Sequence, residues 1–481
     1  MPFRVEKDLE EADTLRILKT VSKKSINRRD FLSGAALSAL GAGTLITSCG
    51  GPKAPAFFPL KPEAEWNVLK EVLPDKAKDG KPLKAGLIGC GGRGTGAAQN
   101  FMDAAPNVSI VALGDMFSNR LESCRKMLKE KYSNDVSDDQ CFLGFDNYQK
   151  VIDSGVDVVI ICSPPAFRPA EFKYAVNAGK HVFIEKPVAV DPVGARSIIA
   201  DSRKAQAQGL CVVTGTHRHH QRCYIESYKQ VQSGMIGEIV GGNVYFNQNM
   251  LWYRTKEKEW TDMEWMIRDW VNWTWLSGDH IVEQHIHDLD LFNWFSGQRP
   301  VKATGFGARH RRLTGDQYDM FSVDYLYEGG YHVHSMCRQI DGCFNNVSAY
   351  IQGTRGAWIG GGENRKDHTI IDLKGKVMWQ FDFEKEAAEF QQIAPHTLEH
   401  VSWINHIRDN QPICQAEETA ISTLTAIMGR VSAYTGADVT WDEIMASDMN
   451  LMPGHLELRN MDMTQFTVPV PGRERAERRN S

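Results

Sequence analysis

Residues 83–101 read LKAGLIGCGGRGTGAAQNF, and this stretch decides the fold. LKAGLIG has the short, fully apolar character of a buried strand. Gly89-Cys90-Gly91-Gly92-Arg93-Gly94 then fits G-x-G-x-x-G, and the small residues that follow open a helix. A second strand, VSIVALGD, ends at Asp115, 21 residues beyond Gly94. Glycines at these places let backbone amides approach a pyrophosphate at a helix N-terminus, where unpaired N–H groups and the helix dipole favour an anion. Asp115 is suited to the adenosine ribose hydroxyls, and its charge opposes a 2′-phosphate. The cofactor expected from the residues alone is therefore NAD rather than NADP.

Outward from this point, apolar runs alternate with helical stretches through VDVVIICSPP, HVFIEKP and LCVVTGT. Such alternation predicts a parallel sheet covered on both faces. The expected class is α/β: a doubly wound NAD-binding domain over 83–217, then a second α+β domain over 218–445 and a tail over 446–481. In the second domain, strands are expected at 236–249, 303–311, 318–327, 331–338, 345–352 and 368–380, in a mostly antiparallel sheet. Glu328-Gly329-Gly330 is expected to be a hairpin turn, and 397–436 helix.

Upstream, residues 27–49 read NRRDFLSGAALSALGAGTLITSC. Paired arginines before a mildly apolar run of small residues make an export signal of the twin-arginine type rather than a membrane span. Ile46-Thr47-Ser48 before Cys49 resembles a lipobox, which makes Cys49 the expected site of lipidation. Residues 1–49 are thus read as signal and 50–82 as a Pro- and Lys-rich tether. The expectation is a periplasmic protein that meets the membrane only through its lipid anchor.

A net charge of −5 with both signs interspersed argues against a nucleic-acid partner. The ten cysteines include no C-x-x-C pair, so neither a disulfide framework nor zinc spacing is indicated. Histidines recur at His217, His219 and His220, at His285 and His287, and at His332 and His334. Metal binding is the rival reading for them, but the 332/334 pair has no carboxylate beside it in sequence, and no metal is expected.

Four segments, GLIGCGGRG, VDVVIICSPP, AGKHVFIEKP and EQHIHDLDLFNWFSG, occur in one chain with SGMIGEIVGG and AISTLTAIMGRVSAYTG. Together they resemble the family of glucose–fructose oxidoreductase, inositol 2-dehydrogenase and their relatives. The resemblance implies a Rossmann domain followed by a domain whose open sheet carries the substrate site and often an oligomer interface, so a homo-oligomer is expected. It also implies that Lys186 of E-K-P and His287 of H-x-x-D, completed by Asp290, face the nicotinamide. Glu283 stands where aspartate is common, and spacing puts 283 and 287 one turn apart on a helix face. His285 is read as helix packing. The cofactor side is assigned to Gly89, Cys90, Gly91, Gly92, Arg93, Gly94, Asp115, Ser163, Pro164, Arg168, Glu185, Lys186 and His217. Arg168 departs from the family, which usually has histidine there.

Seven of the twelve tryptophans, at 252, 260, 265, 270, 273, 275 and 294, fall around the predicted catalytic helix. Aromatic faces suit the C–H face of a sugar ring, although most are expected to be packing residues. Trp252, Trp270, Trp273 and Arg268 are the substrate candidates. The implied activity is oxidation or reduction of a secondary hydroxyl of a small sugar or glycoside. The resemblance also covers glycosidases that use a transient redox step, which often lack an intact E-K-P. A non-catalytic sugar-binding protein would be marked by loss of Lys186 or His287, and both are present.

Twin-arginine export carries folded proteins, which suits a cofactor loaded before export and retained afterwards. Replacing Arg28-Arg29 by Lys-Lys should hold the precursor in the cytoplasm. Cys49→Ala should release the exported protein from membranes. Fractionation unchanged in both variants would refute this reading of the signal.

Overall fold

Every residue of Val158–Ile161 is apolar, and every one is buried. This is strand β4 of a sheet covered on both sides. In the computed structural model, which describes residues 73–361 and 367–472, β1 (Leu83–Ile88), β2 (Val108–Asp115), β3 (Cys141–Leu143), β4, β5 (His181–Ile184) and β6 (Val212–Thr214) form one sheet. Its order is β3-β2-β1-β4-β5-β6, with all pairs parallel. This is the doubly wound arrangement, whose strand order reverses beside β1. Alternate strand residues feed two cores. Leu87, Val158, Ile160 and Phe183 pack with Phe101 on one face, and Ile88, Val159, Ile161 and Val182 pack with Phe172 on the other. The signal, the tether to residue 72 and Cys49 lie outside the described residues.

The second sheet runs β14-β13-β12-β11-β7-β10-β9-β8-β15. Its members are β7 (Ile239–Gln248), β8 (Pro300–Ala308), β9 (Met320–Tyr327), β10 (His332–Gln339), β11 (Asn346–Gly353), β12 (Gly356–Gly361), β13 (Thr369–Asp372), β14 (Val377–Gln380) and β15 (Val439–Thr440). Only β7 and β10 pair in parallel. The helices Ile286–Ser296 and Ala416–Thr435 cover one face. Val240, Met336 and Phe306 remain exposed, the last at 72%. No helix among the described residues is long and apolar enough to cross a membrane.

Three expectations are corrected. The stretch 368–380 is two strands with a turn at Gly375, where φ is +83°, rather than one strand. Strand β12 (GAWIGG) is additional, its glycines having hidden the alternation. The helix expected over 397–436 is two, Pro395–Arg408 and Ala416–Thr435. The first of these packs through Leu398, Val401, Trp403 and Ile404 into the Rossmann core. The nucleotide-binding half is therefore not confined to residues 83–217.

Arg430, fully buried on Ala416–Thr435, joins the halves. Its guanidinium donates to the Val190 carbonyl at 2.8 Å and to the Gly278 carbonyl at 2.9 Å. Arg430→Ala would strip two buried acceptors of their donor. It should cost about 3–5 kcal/mol and lower the melting temperature in calorimetry by several degrees. A melt matching wild type would show that the two carbonyls find other donors.

Candidate active site

The glycine turn is fixed by close approach. Gly89 has φ +89°, and a Cβ there would lie 2.7 Å from the Cys162 carbonyl carbon. A Cβ on Gly94 would fall 1.7 Å from the Gly89 oxygen. The helix Gly92–Ala104 that follows has no side-chain cap and no acidic residue in its first turn. Its first amides are thus left to an anion. These glycines line a cavity of about 1300 Å³ that runs past Asp115, Ser163 and Pro164. Asp115 accepts from the amides of Cys90 at 2.7 Å and Phe117 at 2.8 Å. Burial raises its carboxyl, against those amides and Arg120. Each carboxylate oxygen keeps a second lone pair for a ribose hydroxyl. Glycine cradle, uncapped helix and acid at the end of β2 together fit a dinucleotide.

Two of the residues assigned to the cofactor are tied elsewhere. Arg168 is buried, and its guanidinium donates to the carbonyls of Ser163 (2.9 Å), Glu185 (3.1 Å) and Pro187 (2.6 Å). It staples the ends of β4 and β5 through its Nε and Nη1 and does not line the cavity. Arg93 lies on the cavity wall, yet its Nε pairs with Glu185 at 2.8 Å. Burial works to raise the Glu185 carboxyl, and Arg93, Arg168 and Lys186 more than offset it, so it stays ionised.

Immediately after Glu185, Lys186 Nζ donates to the Glu283 carbonyl at 2.5 Å and to its Oε1 at 3.1 Å. Both side chains are about nine-tenths buried. The single helix expected through 283 and 287 is absent. His280–Glu283 ends at Gln284, and a new helix starts at Ile286. The break turns Glu283 to Lys186 and Gln284 rather than to the imidazole. His287 is the second residue of the new helix. Its carbonyl accepts from Arg218 at 3.1 Å, and Arg218 in turn pairs with Asp288. Its imidazole is held well below the ordinary histidine range by burial, and also by Lys186, His217, Arg218 and His396. It is therefore neutral at pH 7. Lys186, Glu283 and His287 are not part of the large cavity's lining and join the cradle through Glu185.

Asp290 does not approach His287; it holds His219 at 2.7 Å and Ser422 at 2.8 Å. His285 is buried against Ser335, as packing requires. His332 pairs with Asp324 and His334 with Ser322, neighbours across the strand that sequence separation concealed. Among the described residues, no group of three or more His, Cys, Asp or Glu side chains is placed to hold a metal ion.

Trp252, Trp270 and Arg268 do line the cavity, but at the Asp115 end. The Arg268 guanidinium lies 3.7 Å over the ring of Phe117, two residues past Asp115. Trp273 is a correction: it is buried against Trp265 and Phe466 and is not part of this cavity's lining. Arg120, Arg254 and Trp260 share the wall and were not foreseen. Nor was the part played by the tail. Asn450, Met452 and Leu456 line the cavity, with the Leu451 amide donating to Asp191 at 2.8 Å. The apolar LMPG and MDMTQF were the available signal for it.

The Gfo/Idh/MocA oxidoreductase family, NAD-binding Rossmann fold, matches residues 83–221, and the Gfo/Idh/MocA C-terminal domain matches 224–359. The scyllo-inositol 2-dehydrogenase (NAD(+)) of Bacillus subtilis is 22% identical over 299 residues, 61% of this chain and 78% of that protein. The inositol 2-dehydrogenase of Salmonella typhimurium is 26% identical over 215 residues, 44% of this chain and 54% of that one. A glycosyl hydrolase family 109 protein of Solibacter usitatus is 27% identical over 247 residues, half of each chain. The chain thus spans about half the length of several of these relatives. Among solved structures, scyllo-inositol dehydrogenase from Lactobacillus casei with bound NAD(H) and scyllo-inositol has a TM-score of 0.56 at 20% identity. It covers 75% of this chain and 99% of that one. An oxidoreductase domain protein from Kribbella flavida has a TM-score of 0.62 at 16% identity, covering 75% of this chain and 99% of that one. At these identities the likeness is one of fold.

Glu171, on the same cavity wall, is pushed up to about 7 by burial, against a hydrogen bond from Ser163. A carboxyl raised on folding resists ionisation, so its contribution to stability is present below about pH 4.5 and is lost as pH rises toward 7. Differential scanning calorimetry should show this decline, worth about 2–3 kcal/mol. Glu171→Gln should flatten it, and an equally steep variant would place the titration elsewhere.

Proposed function

The chain belongs to the Gfo/Idh/MocA oxidoreductase family, and from that premise we propose an exported enzyme that keeps its NAD bound and oxidises or reduces a secondary hydroxyl of a small sugar, polyol or glycoside. The observation that carries this reading is the neutral His287 beside a Lys186 fixed by Glu283 at the end of β5. In open α/β sheets, ligands sit beyond the carboxyl ends of the strands, which is where E-K-P delivers its lysine.

NAD bound at the cradle supplies the acceptor, or donor, of hydride. The rest is done by the chain. Neutral His287 takes the proton of the substrate hydroxyl during oxidation and returns it during reduction. The Lys186 ammonium brings positive charge to the oxygen as its own charge develops. Glu283, bonded twice to Nζ, keeps that ammonium in one place. The inositol dehydrogenases among the relatives support a polyol or sugar as the substrate class.

Retention of the cofactor has a structural rationale in the same proposal. Trp252, Arg254, Trp270 and Met452 wall the Asp115 end of the cavity from segments far from the cradle in sequence. A ligand enclosed by two chain segments leaves only when one of them moves. A second reading follows from the family 109 glycosyl hydrolase relative. There, a transient ketone acidifies the neighbouring C–H and the aglycone is eliminated. The intact Glu185-Lys186-Pro187 favours net redox chemistry.

Denatured protein should release NAD(H) by mass spectrometry, and mixing native protein with polyols and glycosides should change the NADH absorbance without added NAD. His287→Ala should slow this step by about 10²–10⁴-fold and leave bound cofactor in place. The acid limb of the pH–rate profile should lie well below pH 6.5, since the imidazole must be neutral to act. Turnover that begins only on adding free NAD would refute retention. Wild-type rates in His287→Ala would refute the catalytic assignment. Release of aglycone without a keto product would favour the second reading.

A further inference from the structure

Arg268, expected from the sequence to meet the substrate, stands at the other end of the site. It lines the large cavity near Asp115, whereas Lys186, Glu283 and His287 lie outside that lining. Its guanidinium lies 3.7 Å over the Phe117 ring and 5.0 Å over that of Trp260. One helical turn back, Glu264 accepts from its Nε at 2.9 Å. The side chain is thus held in place by two rings and a carboxylate.

Phe117 gives this placement its meaning, because its amide donates to Asp115 at 2.8 Å. In a nucleotide whose ribose hydroxyls sit on Asp115, the base hangs from C1′, next to the carbon that bears the 2′-hydroxyl. The base therefore lies close to that carboxylate, among the planar groups gathered at Phe117. Resting on the reading of a retained NAD, we propose that Arg268 is a latch for the adenine. Its guanidinium, supplied by the second half of the chain, stacks on the base that the nucleotide-binding half seats, and so slows release of the cofactor. Arg268 is by this assignment a cofactor-holding residue and not a substrate contact.

The chemistry suits the task. A guanidinium is flat, weakly hydrated and always charged, and it stacks on aromatic faces in a way that an ammonium does not. Arg120 also stands over Phe117, at 5.3 Å, but it comes from the helix Ser118–Tyr132 of the cradle's own half. Arg268 ties the base to the other half. The cover that carries it is one laced piece. The Arg254 amide donates to Asp269 at 2.7 Å, the Trp265 indole to the Arg254 carbonyl at 2.6 Å, and the Asn272 side chain to the Trp252 carbonyl at 3.1 Å. Thr261 caps the helix Asp262–Arg268, accepting from the Glu264 amide at 3.2 Å. The latch is shaped before a ligand arrives, so binding costs little ordering and release requires the piece to move as a whole.

The test uses the full-length protein carrying its own NAD, with excess ADP-ribose as a trap. Bound NAD is followed over time by gel filtration and mass spectrometry. Arg268→Ala should release it about ten- to thirtyfold faster than wild type, the scale of one desolvated cation–π contact. Arg268→Lys keeps the charge and loses the plane, and should release it nearly as fast. In emptied protein, the rise in melting temperature on adding ADP-ribose should shrink in both variants, whereas the rise on adding nicotinamide mononucleotide should not. Release as slow as wild type in Arg268→Ala, full rescue by lysine, or equal losses for the two ligands would each overturn the latch. So would a lower melting temperature of the emptied variant with an undiminished rise on adding ADP-ribose, which would mark a purely structural role. Wild type that carries no NAD(H) and gains no stability from ADP-ribose would instead overturn the bound-cofactor reading, and the latch with it.

Discussion

Glu185 is the residue on which the site depends. Its buried carboxylate pairs with Arg93 of the glycine turn at 2.8 Å, while its backbone delivers Lys186 toward Glu283. An ionised carboxylate removed from water is costly unless it is paired, so the contact constrains both partners. Arg168 adds to the constraint by holding the Glu185 and Pro187 carbonyls. Gly215, beyond the end of β6, leaves room for this acid, because a Cβ there would lie 2.3 Å from Glu185 Oε2 and force that carboxylate to shift. The phosphate cradle and the lysine thus have a fixed spacing set by one buried acid. The proposed site requires that spacing to suit a dinucleotide lying between them.

The same acid reaches into the second half of the chain. Asn100, on the cradle helix, takes a hydrogen bond from Arg93 and gives one to Thr397. Two residues on, Glu399 is fully buried with neither oxygen bonded, and burial together with Glu185 pushes its carboxyl well up, which keeps it neutral. Pro395–Arg408 is therefore a wall of the nucleotide-binding half, and it brings His396 to the site. A two-domain outline drawn along the sequence loses this helix, because its apolar stripe records only that it is covered, not by which half.

The nucleotide half was legible because its constraints are local. A glycine turn between a strand and a helix, followed by an acid at the next strand end, leaves few alternatives. Strand β12 was not legible, since GAWIGG offers glycine where alternation would be read. The break at Gln284 was hidden for a different reason. Helical spacing alone puts 283 and 287 together, whereas the buried Lys186 ammonium draws Glu283 toward itself. Arg168 and Trp273 show the same limit. Residue type predicts a capacity for hydrogen bonding or stacking, and the partner is assigned by topology. Carbonyls at two strand ends took the guanidinium, and the core took the indole.

The wall at the Asp115 end connects the fold to the proposed bound cofactor. Residues 252–270 and 450–456 meet over the cleft, held by bonds from the Met263 amide to the Arg459 carbonyl and from the Met461 amide to Asp262. The second segment lies beyond every strand and helix of both sheets in the sequence, so this side of the cleft is built by a part of the chain remote from the cradle. A dinucleotide seated on the cradle would be covered by both segments, and the proposed retention of the cofactor requires that neither moves away easily.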